Sequence, residues 1–381
     1  MNYILAILSG LALIQGLVSL WDGVRNMRYS RSYRRGNGPS GSVIVFCPAT
    51  GSDPDLRSNA RSLLGQDHSD YRVVFIVESR DDPAHGVLTG VEGAEVQVAG
   101  RAKDSGQKVH NLTQGVVRFG SESDIFVFCD SDALFPPDWL SELIAPLTDP
   151  NVGASTGYRW YVPGEGSLPT LLRSAWNASV AGFLGPHRNN FAWGGSTAIR
   201  RETFDSIAIL DAWKGALSDD YALTSAVRRR NLAIVYVPTC LVPSYGECSW
   251  SELLEFTNRQ IKITRVYAPR MWMMGLVTYT LFNFTFLSLT IAIPFHPRWF
   301  LPWAGIYALT VIRSRVRLQA ASQAIPSALV KPSALFYLLS APLVSVLYQT
   351  NFIASMLNRR LVWRGILYTM ISPSETRSLR L

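Results

Sequence analysis

Two aspartates separated by one residue follow an apolar segment in the first half of the chain. Asp130 and Asp132 come directly after residues 124–129, a run typical of a buried parallel strand. Side chains at positions i and i+2 of an extended segment point the same way, so both carboxylates could reach one divalent cation. Hard cations prefer carboxylate oxygen and share their remaining positions with phosphates. Ligands of open α/β sheets bind beyond the carboxyl ends of strands, so the pattern predicts a metal–diphosphate site.

Polar groups follow other expected strands. Pro48 and Thr50 end the first one, and Glu78 ends the second, where its carboxylate could accept a hydrogen bond from a base N–H or could be a solvated strand end. Asp82 precedes a proline and is expected to begin a helix. Lys108 opens the next helix, where a cation and a helix N-terminus could meet a phosphate, although an isolated lysine is more often solvated.

Two later segments could contact substrate. Trp193, Gly194 and Gly195 form a small-residue loop that lets backbone approach a ligand, with a tight turn as an equally good interpretation. Asp219 and Asp220 begin a helix behind a good N-cap residue. The helix dipole explains one acid there, and the second could be a general base.

Residues 251–266 are amphipathic and precede an apolar segment, so we expect a helix along the cytoplasmic membrane surface. Arg259 and Lys262 on this helix could brace a leaving diphosphate. Plain binding to lipid headgroups is the alternative, and the two roles are compatible.

The elements that must position these groups alternate along the chain. Strands are expected at 42–47, 72–77, 95–99 and 124–129, and helices at 54–65, 108–119 and 137–147. This alternation predicts an α/β domain with a mostly parallel sheet and helices on both faces.

Composition indicates a soluble domain joined to membrane segments: 48% of the 381 residues are hydrophobic and only 17% are charged. Residues 2–21 are uncharged and about 30 Å long as a helix, enough to cross a bilayer. Arginines follow, so we expect an uncleaved anchor with the following domain on the cytoplasmic side. Residues 271–295 form a second expected span. Residues 332–358 could form a third, although Pro342 could break it.

The arginines at 313–317 and at 359–364 should both be cytoplasmic, which conflicts with a simple span over 332–358. One apolar stretch would then be re-entrant, interfacial or a broken hairpin. The expected organisation is an anchor (1–21), a basic linker (22–41), a catalytic domain (42–248), an interfacial helix (249–268), a membrane block (269–358) and a basic cytoplasmic tail (359–381).

The net charge of +8 does not indicate nucleic acid, because the arginines cluster beside apolar stretches, where anionic lipid headgroups explain them. The four cysteines form no CxxC pair and fit a reduced domain. No signal for an oligomer is present.

The order of these motifs resembles glycosyltransferase family 2 and, more narrowly, the ceramide glucosyltransferase group. The broader match rests on the Asp-x-Asp, on residues 194–201 (Gly-Gly-Ser-Thr-Ala-Ile-Arg-Arg) and on 218–221 (Ser-Asp-Asp-Tyr). The narrower match rests on 81–84 (Asp-Asp-Pro-Ala), 108–111 (Lys-Val-His-Asn), 129–131 (Cys-Asp-Ser) and 362–365 (Val-Trp-Arg-Gly). The resemblance covers nearly the whole chain.

This resemblance implies a GT-A fold and an inverting transfer of sugar, expected to be glucose, from a UDP-sugar to a hydroxyl of a membrane lipid such as ceramide or diacylglycerol. Glu78 or Asp82 would contact the uracil, and Lys108 would hold donor phosphates. Asp130 and Asp132 would bind Mg²⁺ or Mn²⁺. Asp220 would take the acceptor proton, with Asp219 the weaker choice.

The chain departs from the family where a Gln/Arg-x-x-Arg-Trp motif is expected: residues 259–263 read Arg-Gln-Ile-Lys-Ile, without the tryptophan. The missing tryptophan and the few spanning segments disfavour the first alternative, a processive polysaccharide synthase. The second alternative, a non-catalytic membrane scaffold, would not need three sets of carboxylates in this order.

Overall fold

A computed structural model describes residues 2–164, 166–188 and 190–380 of the chain. They form two compact units. The unit that carries the large sheet, here called the sheet unit, contains Tyr33–Trp160, Pro186–Tyr245 and Arg359–Leu381. The other, here called the helical unit, contains Met1–Ser32, Tyr161–Gly185 and Gly246–Asn358.

The strands of the large sheet are β1 Val43–Pro48, β2 Tyr71–Val77, β3 Glu95–Val98, β4 Ile125–Cys129, β5 Val152–Tyr161, β6 Ser196–Arg200 and β7 Ala233–Ser244. Their order is β3-β2-β1-β4-β6-β5-β7. The pairs β2–β3, β1–β2 and β1–β4 are parallel, whereas β6 runs antiparallel to β4 and β5. The four strands expected from the sequence are confirmed within one or two residues.

The α-helices of the described residues are, in chain order, α1 Asn2–Ser32, α2 Leu56–Leu64, α3 Pro83–Thr89, α4 Gln107–Phe119, α5 Trp139–Ile144, α6 Leu168–Ala181, α7 Arg201–Ser206, α8 Ile209–Trp213, α9 Asp219–Arg229, α10 Trp250–Tyr267, α11 Pro269–Ala292, α12 Phe300–Ala321, α13 Ser327–Val330, α14 Ala334–Leu339 and α15 Ala341–Leu357. Short 3-10 turns occupy Gly120–Glu122, Ala145–Thr148, Pro297–Trp299 and Lys331–Ser333.

Alternation along β1 explains why helices cover both faces of the sheet. Val45 faces a buried cluster that includes Leu63 of α2 and Leu140 of α5. Its neighbour Phe46 faces the opposite cluster, with Leu112 of α4 and other residues of α4, α7, α8 and α9. The expected α/β fold with a helical layer on each face is confirmed.

The topology fixes where a ligand would bind. From β1 the chain moves outward to β2 and β3 and then returns to β4 on the other side of β1. The carboxyl ends of β1 and β4 therefore flank a topological switch point, the position at which open α/β sheets bind ligands. Asp130 leaves the sheet at this point.

The helical unit carries the apolar helices. Among the described residues, α1 and α11 are long and apolar enough to cross a membrane, which agrees with two of the expected spans. Residues 327–357 form a helix pair bent by 77° at a break next to Ser340, with Pro342 in the first turn of α15. The expected interruption by Pro342 is confirmed.

Two helices continue through basic segments. α1 runs past Trp21 to Ser32, because arginine is a good helix former and no glycine lies between Gly23 and Gly36. α12 likewise continues through the basic residues Arg313 and Arg317 to Ala321.

The last residues of the sheet unit form an antiparallel three-stranded sheet that the sequence analysis did not identify. Its strands are β8 Arg360–Trp363, β9 Ile366–Ser372 and β10 Glu375–Arg380, in the order β10-β9-β8. Tyr368 and Met370 of β9 are buried.

Candidate active site

Three of the predicted site residues meet beyond the carboxyl end of β4. Lys108, in the first turn of α4, places Nζ 2.7 Å from Asp130 Oδ1 and 3.5 Å from Asp219 Oδ1. Lys108 also donates to the Gly194 carbonyl at 3.2 Å. One half-buried cation thus joins the segment after β4, the start of α9 and the glycine loop before β6.

Arg159 on β5 is a functional candidate that the sequence analysis missed. Its Nη2 lies 2.6 Å from Asp130 Oδ2 and 2.8 Å from Asp132 Oδ1, and its Nη1 lies 2.9 Å from Asp132 Oδ2. The guanidinium carbon is 4.9 Å from the centre of the Trp193 ring, a cation–π distance. Arg159 is the only charged residue between positions 152 and 162. A lone charge in a buried strand demands an opposite partner, but this signal can be used only once the strand has been identified.

The ion pairs set the protonation of the cluster. Burial tends to raise the pKa of Asp130, but Lys108 and Arg159 outweigh it and hold that pKa below its usual value. Burial tends to lower the pKa of Lys108, but Asp130, Asp219 and Asp220 raise it, so the ammonium stays charged. Both groups are therefore ionised at neutral pH.

The two acids at the start of α9 have different surroundings. Asp219 is buried, and burial, opposed by Lys108 and reinforced by Asp220 and Asp130, raises its pKa to about 6. Asp220 is half-buried. Its Oδ2 accepts from Gly194 N at 3.3 Å, and its Oδ1 accepts from Tyr221 N at 2.7 Å and from the Ser218 hydroxyl. Both acids meet the glycine loop, and Asp220 is the more exposed.

Side chains of the protein itself approach the glycine loop closely, at the place where the sequence predicted the close approach of a ligand. A Cβ on Gly194 would overlap the Asp219 carboxylate and lie 2.8 Å from Lys108 Nζ, and one on Gly195 would overlap the Trp193 ring. The loop therefore needs glycine in order to seat the ion-pair cluster. The predicted contact of this loop with acceptor stays a prediction.

Asp82 ties together the loops after β1 and β2. It caps α3 by accepting from Ala84 N at 2.9 Å, as its position before Pro83 predicted. It also accepts from Thr50 Oγ1 at 2.7 Å and from Gly51 N at 2.8 Å. Its carboxylate thus orders the loop that carries Thr50.

Glu78 lies at the end of β2 and is engaged by arginines distant in sequence. Arg380 of β10 forms an ion pair with it, and Arg101 Nε lies 3.5 Å away. Tyr368 of β9 accepts a hydrogen bond from Gln107 N at 3.2 Å, one residue before Lys108. The C-terminal sheet therefore lies beside two of the predicted donor-binding residues.

The remaining predicted donor residues belong to β1 and α10. Pro48 is the last residue of β1, in register with Ile76 of β2. Arg259 and Lys262 belong to α10 of the helical unit, where Arg259 lies 3.9 Å from Glu255 and Lys262 donates to Asn358 at 2.9 Å. Their predicted role with a donor stays a prediction.

The cluster fits a divalent cation shared with a ligand. Asp130 and Asp132 each accept a hydrogen bond from the same nitrogen of Arg159. The guanidinium therefore already occupies the point at which the two carboxylates converge. The four carboxylates of Asp130, Asp132, Asp219 and Asp220 against the cations of Lys108 and Arg159 leave a formal charge of −2. In the described part of the chain no three metal-ligating side chains gather, so an ion there would need ligands from a bound phosphate or water.

The chain is similar to solved structures of other proteins. The mannosyltransferase PcManGT from Pyrobaculum calidifontis, solved with GDP-Man and Mn²⁺, is similar over 93% of this chain and 97% of its own, with a TM-score of 0.50 and 16% identity. Glucosyl-3-phosphoglycerate synthase from Mycobacterium tuberculosis, solved with Mn²⁺ and UDP-glucose, is similar over 59% of this chain and 78% of its own, with a TM-score of 0.40 and 17% identity. The sheet, its helical layers and the first of these similarities identify a GT-A-like fold.

A family model decides the assignment. The family that matches is described as glycosyl transferase family 21, and the match spans residues 4–374. Membership of family 2, inferred from the motifs, is not confirmed. Because the match covers nearly the whole chain, the protein belongs to glycosyl transferase family 21, and it is a sugar-transferring enzyme.

Proposed function

We propose that the enzyme moves a sugar, glucose in the first instance, from a UDP-sugar to the hydroxyl of a membrane lipid such as ceramide or diacylglycerol. The observation that carries this proposal is the convergence of Lys108, Asp130 and Asp219 at the switch point of a family 21 enzyme that also has two apolar helices long enough to cross a membrane. A lipid acceptor accounts for those helices, because its hydroxyl lies at the membrane surface.

The donor site we propose lies across the ends of β1, β2 and β4. Pro48, Thr50 and the Asp82 carboxylate would line the uracil pocket, with Glu78 as the alternative acid. Asp82 is the better choice, because it is already fixed to the loop after β1 by two hydrogen bonds. Arg259 and Lys262 remain candidate contacts of the diphosphate.

Asp130 and Asp132 would hold Mg²⁺ or Mn²⁺, an inference supported by the convergence of their carboxylates and by the similar mannosyltransferase solved with Mn²⁺. When bound, such an ion would neutralise the diphosphate as it leaves. Lys108 is positioned to add a second positive charge there, since its pKa keeps it protonated.

Transfer would proceed with inversion in a single displacement. The acceptor oxygen forms a bond to the anomeric carbon as the bond from that carbon to the phosphate oxygen breaks, and the nucleoside diphosphate takes the electron pair. Asp220 accepts the hydroxyl proton, a contribution of about 10²–10⁴ in rate. Its partial exposure favours it over buried Asp219, and Trp193, Gly194 and Gly195 would border the acceptor.

The test is turnover of radiolabelled UDP-glucose by the purified, detergent-solubilised chain with ceramide, diacylglycerol and a sterol offered separately. A labelled lipid with the mobility of a single sugar on thin-layer chromatography would support the proposal. Label retained at the origin as polymer would favour a processive synthase instead. If no product forms, other nucleotide sugars are tried next, and failure with all of them in the presence of each lipid would exclude a lipid acceptor of these classes.

A further inference from the structure

Two arginines of α12 are turned inward within the helical unit. Arg313 and Arg317 are four residues apart and therefore share one face of the helix, whereas Arg315 lies on another face and is exposed. Arg313 Nη1 donates to Ser19 Oγ of α1 at 3.0 Å, and Arg317 Nη1 donates to Ser179 Oγ of α6 at 3.4 Å. Both guanidinium groups thus lie between helices.

Among the described residues, no carboxylate serves as a counter-ion for these two cations. The sequence contains no Asp or Glu between Glu255 and Glu375. The described acids of the helical unit have other partners: Asp22 pairs with Arg25, Glu247 accepts from Ser167 and Thr170, Glu252 caps α10, and Glu255 lies near Arg259. No described carboxylate lies within ion-pair distance of Arg313 or Arg317.

The neighbours of the pair are neutral hydrogen-bonding groups. The charges of both arginines act on Tyr279 of α11, whose ring stacks on Tyr348 of α15 at 4.3 Å. Arg313 Nε is buried without a hydrogen-bond partner among the described groups. Arg317 lies at the C-terminal end of α6, beside Gly182, and that helix end supplies only about half a negative charge.

Two like charges held four residues apart repel each other, and an unmatched buried cation is costly. A guanidinium offers a planar fork of donors that matches phosphate oxygens. Basic pockets between membrane helices on the cytoplasmic side bind anionic lipid headgroups. We propose that Arg313 and Arg317 form a binding site for the phosphate of an anionic membrane phospholipid, with Ser19 and Ser179 fixing the two guanidinium groups.

Arg315 provides a matched control, because it has the same charge on the same helix but is exposed. Diffuse electrostatic attraction of lipid headgroups would depend equally on all three arginines. A specific binding site would depend on Arg313 and Arg317 alone. The full chain, purified in neutral detergent, is mixed with phosphatidylglycerol or with phosphatidylcholine. Bound lipid is counted by native mass spectrometry, and thermal unfolding is measured in parallel.

We expect wild type and R315Q to retain phosphatidylglycerol in preference to phosphatidylcholine, and R313Q and R317Q to bind it about tenfold more weakly or worse. In neutral detergent alone the two inward variants should unfold no earlier than wild type, because each removes an unmatched charge. R313K and R317K keep the charge and should retain part of the phosphatidylglycerol binding. Their binding would show that the weaker binding by R313Q and R317Q is not caused by misfolding.

Equal retention of phosphatidylglycerol by wild type, R315Q, R313Q and R317Q would overturn the proposal. An equal loss of phosphatidylglycerol binding in R315Q, R313Q and R317Q would also overturn it. Inorganic phosphate distinguishes the source of the anion. If it stabilises wild type but not R313Q, and phosphatidylglycerol does not bind, the site takes a soluble phosphate and the lipid assignment is wrong. None of these measurements uses sugar transfer, so their outcome is independent of the function proposed above.

Discussion

Arg159 donates hydrogen bonds to the Asp132 carboxylate from both terminal nitrogens of its guanidinium, at 2.8 and 2.9 Å. The same group also reaches Asp130, so a cation from β5 fills the point at which the two carboxylates of the Asp-x-Asp converge. Any metal ion entering there must compete with this guanidinium or share the carboxylates with it.

Replacing Arg159 should therefore strengthen the binding of free metal. R159M removes one positive charge from the focus of Asp130 and Asp132, and we expect Mn²⁺ affinity without donor to rise about tenfold, equivalent to about 1.4 kcal/mol. Electron paramagnetic resonance of unbound Mn²⁺ measures this. R72M is the control, since Arg72 pairs with Glu95 and Glu122 in the same unit. Unchanged or weaker Mn²⁺ binding by R159M would show that the guanidinium and the ion do not compete.

Transfer should require both carboxylates of the Asp-x-Asp. EDTA should stop turnover, and added Mg²⁺ or Mn²⁺ should restore it in wild type. D130N and D132N should lose at least about a hundredfold in kcat/KM, because charge stabilisation at a leaving group is worth several kcal/mol. D138N is the matched control, since the Asp138 side chain precedes α5 and makes no capping hydrogen bond. Full activity in EDTA would remove the metal from the proposal.

Sequence patterns identified the parts of the fold that are locally encoded. The strands β1 to β4 are apolar runs bounded by turn residues, and Glu78 and Asp130 at the ends of β2 and β4 follow from strand position alone. Ser218 and Asp82 were recognised as N-caps because capping depends on neighbours a few residues away.

Local sequence patterns did not predict the elements whose pairing depends on residues far along the chain. β5 contains two glycines and has no alternating pattern, so its place beside β6 is set by partners far along the chain. Arg159 was missed together with its strand. The contacts of Arg380 with Glu78 and of Tyr368 with Gln107 join residues more than 250 positions apart, for which no local signal exists.

Asp220 and Asp219 can be separated by substitution. If Asp220 is the base, D220N should abolish transfer while leaving UDP-sugar binding largely intact, because only proton removal is lost. The measurements are turnover and donor affinity by calorimetry. D219N should instead perturb Lys108, its ion-pair partner, and so weaken donor binding. Retained turnover in D220N together with an inactive D219N would transfer the role of base to Asp219.

The raised pKa of Asp219 predicts a difference in stability that depends on pH. With a pKa of about 6 when folded and about 4 when unfolded, the folded protein holds a proton that the unfolded chain has released. The resulting stabilisation is fully present below pH 4 and is lost as pH rises through 6. The loss corresponds to about 2–3 kcal/mol.

D219N cannot titrate at this position, so its melting temperature relative to wild type should increase between pH 4.5 and 7. Asp130, whose pKa is lowered, contributes the opposite slope in both proteins and cancels in the difference. D211N serves as the control, because Asp211 is exposed and pairs with Lys214 on the surface. Thermal unfolding of the three proteins in neutral detergent is the measurement. Parallel curves for wild type and D219N would mean that the carboxyl of Asp219 ionises in the folded protein as it does in the unfolded chain.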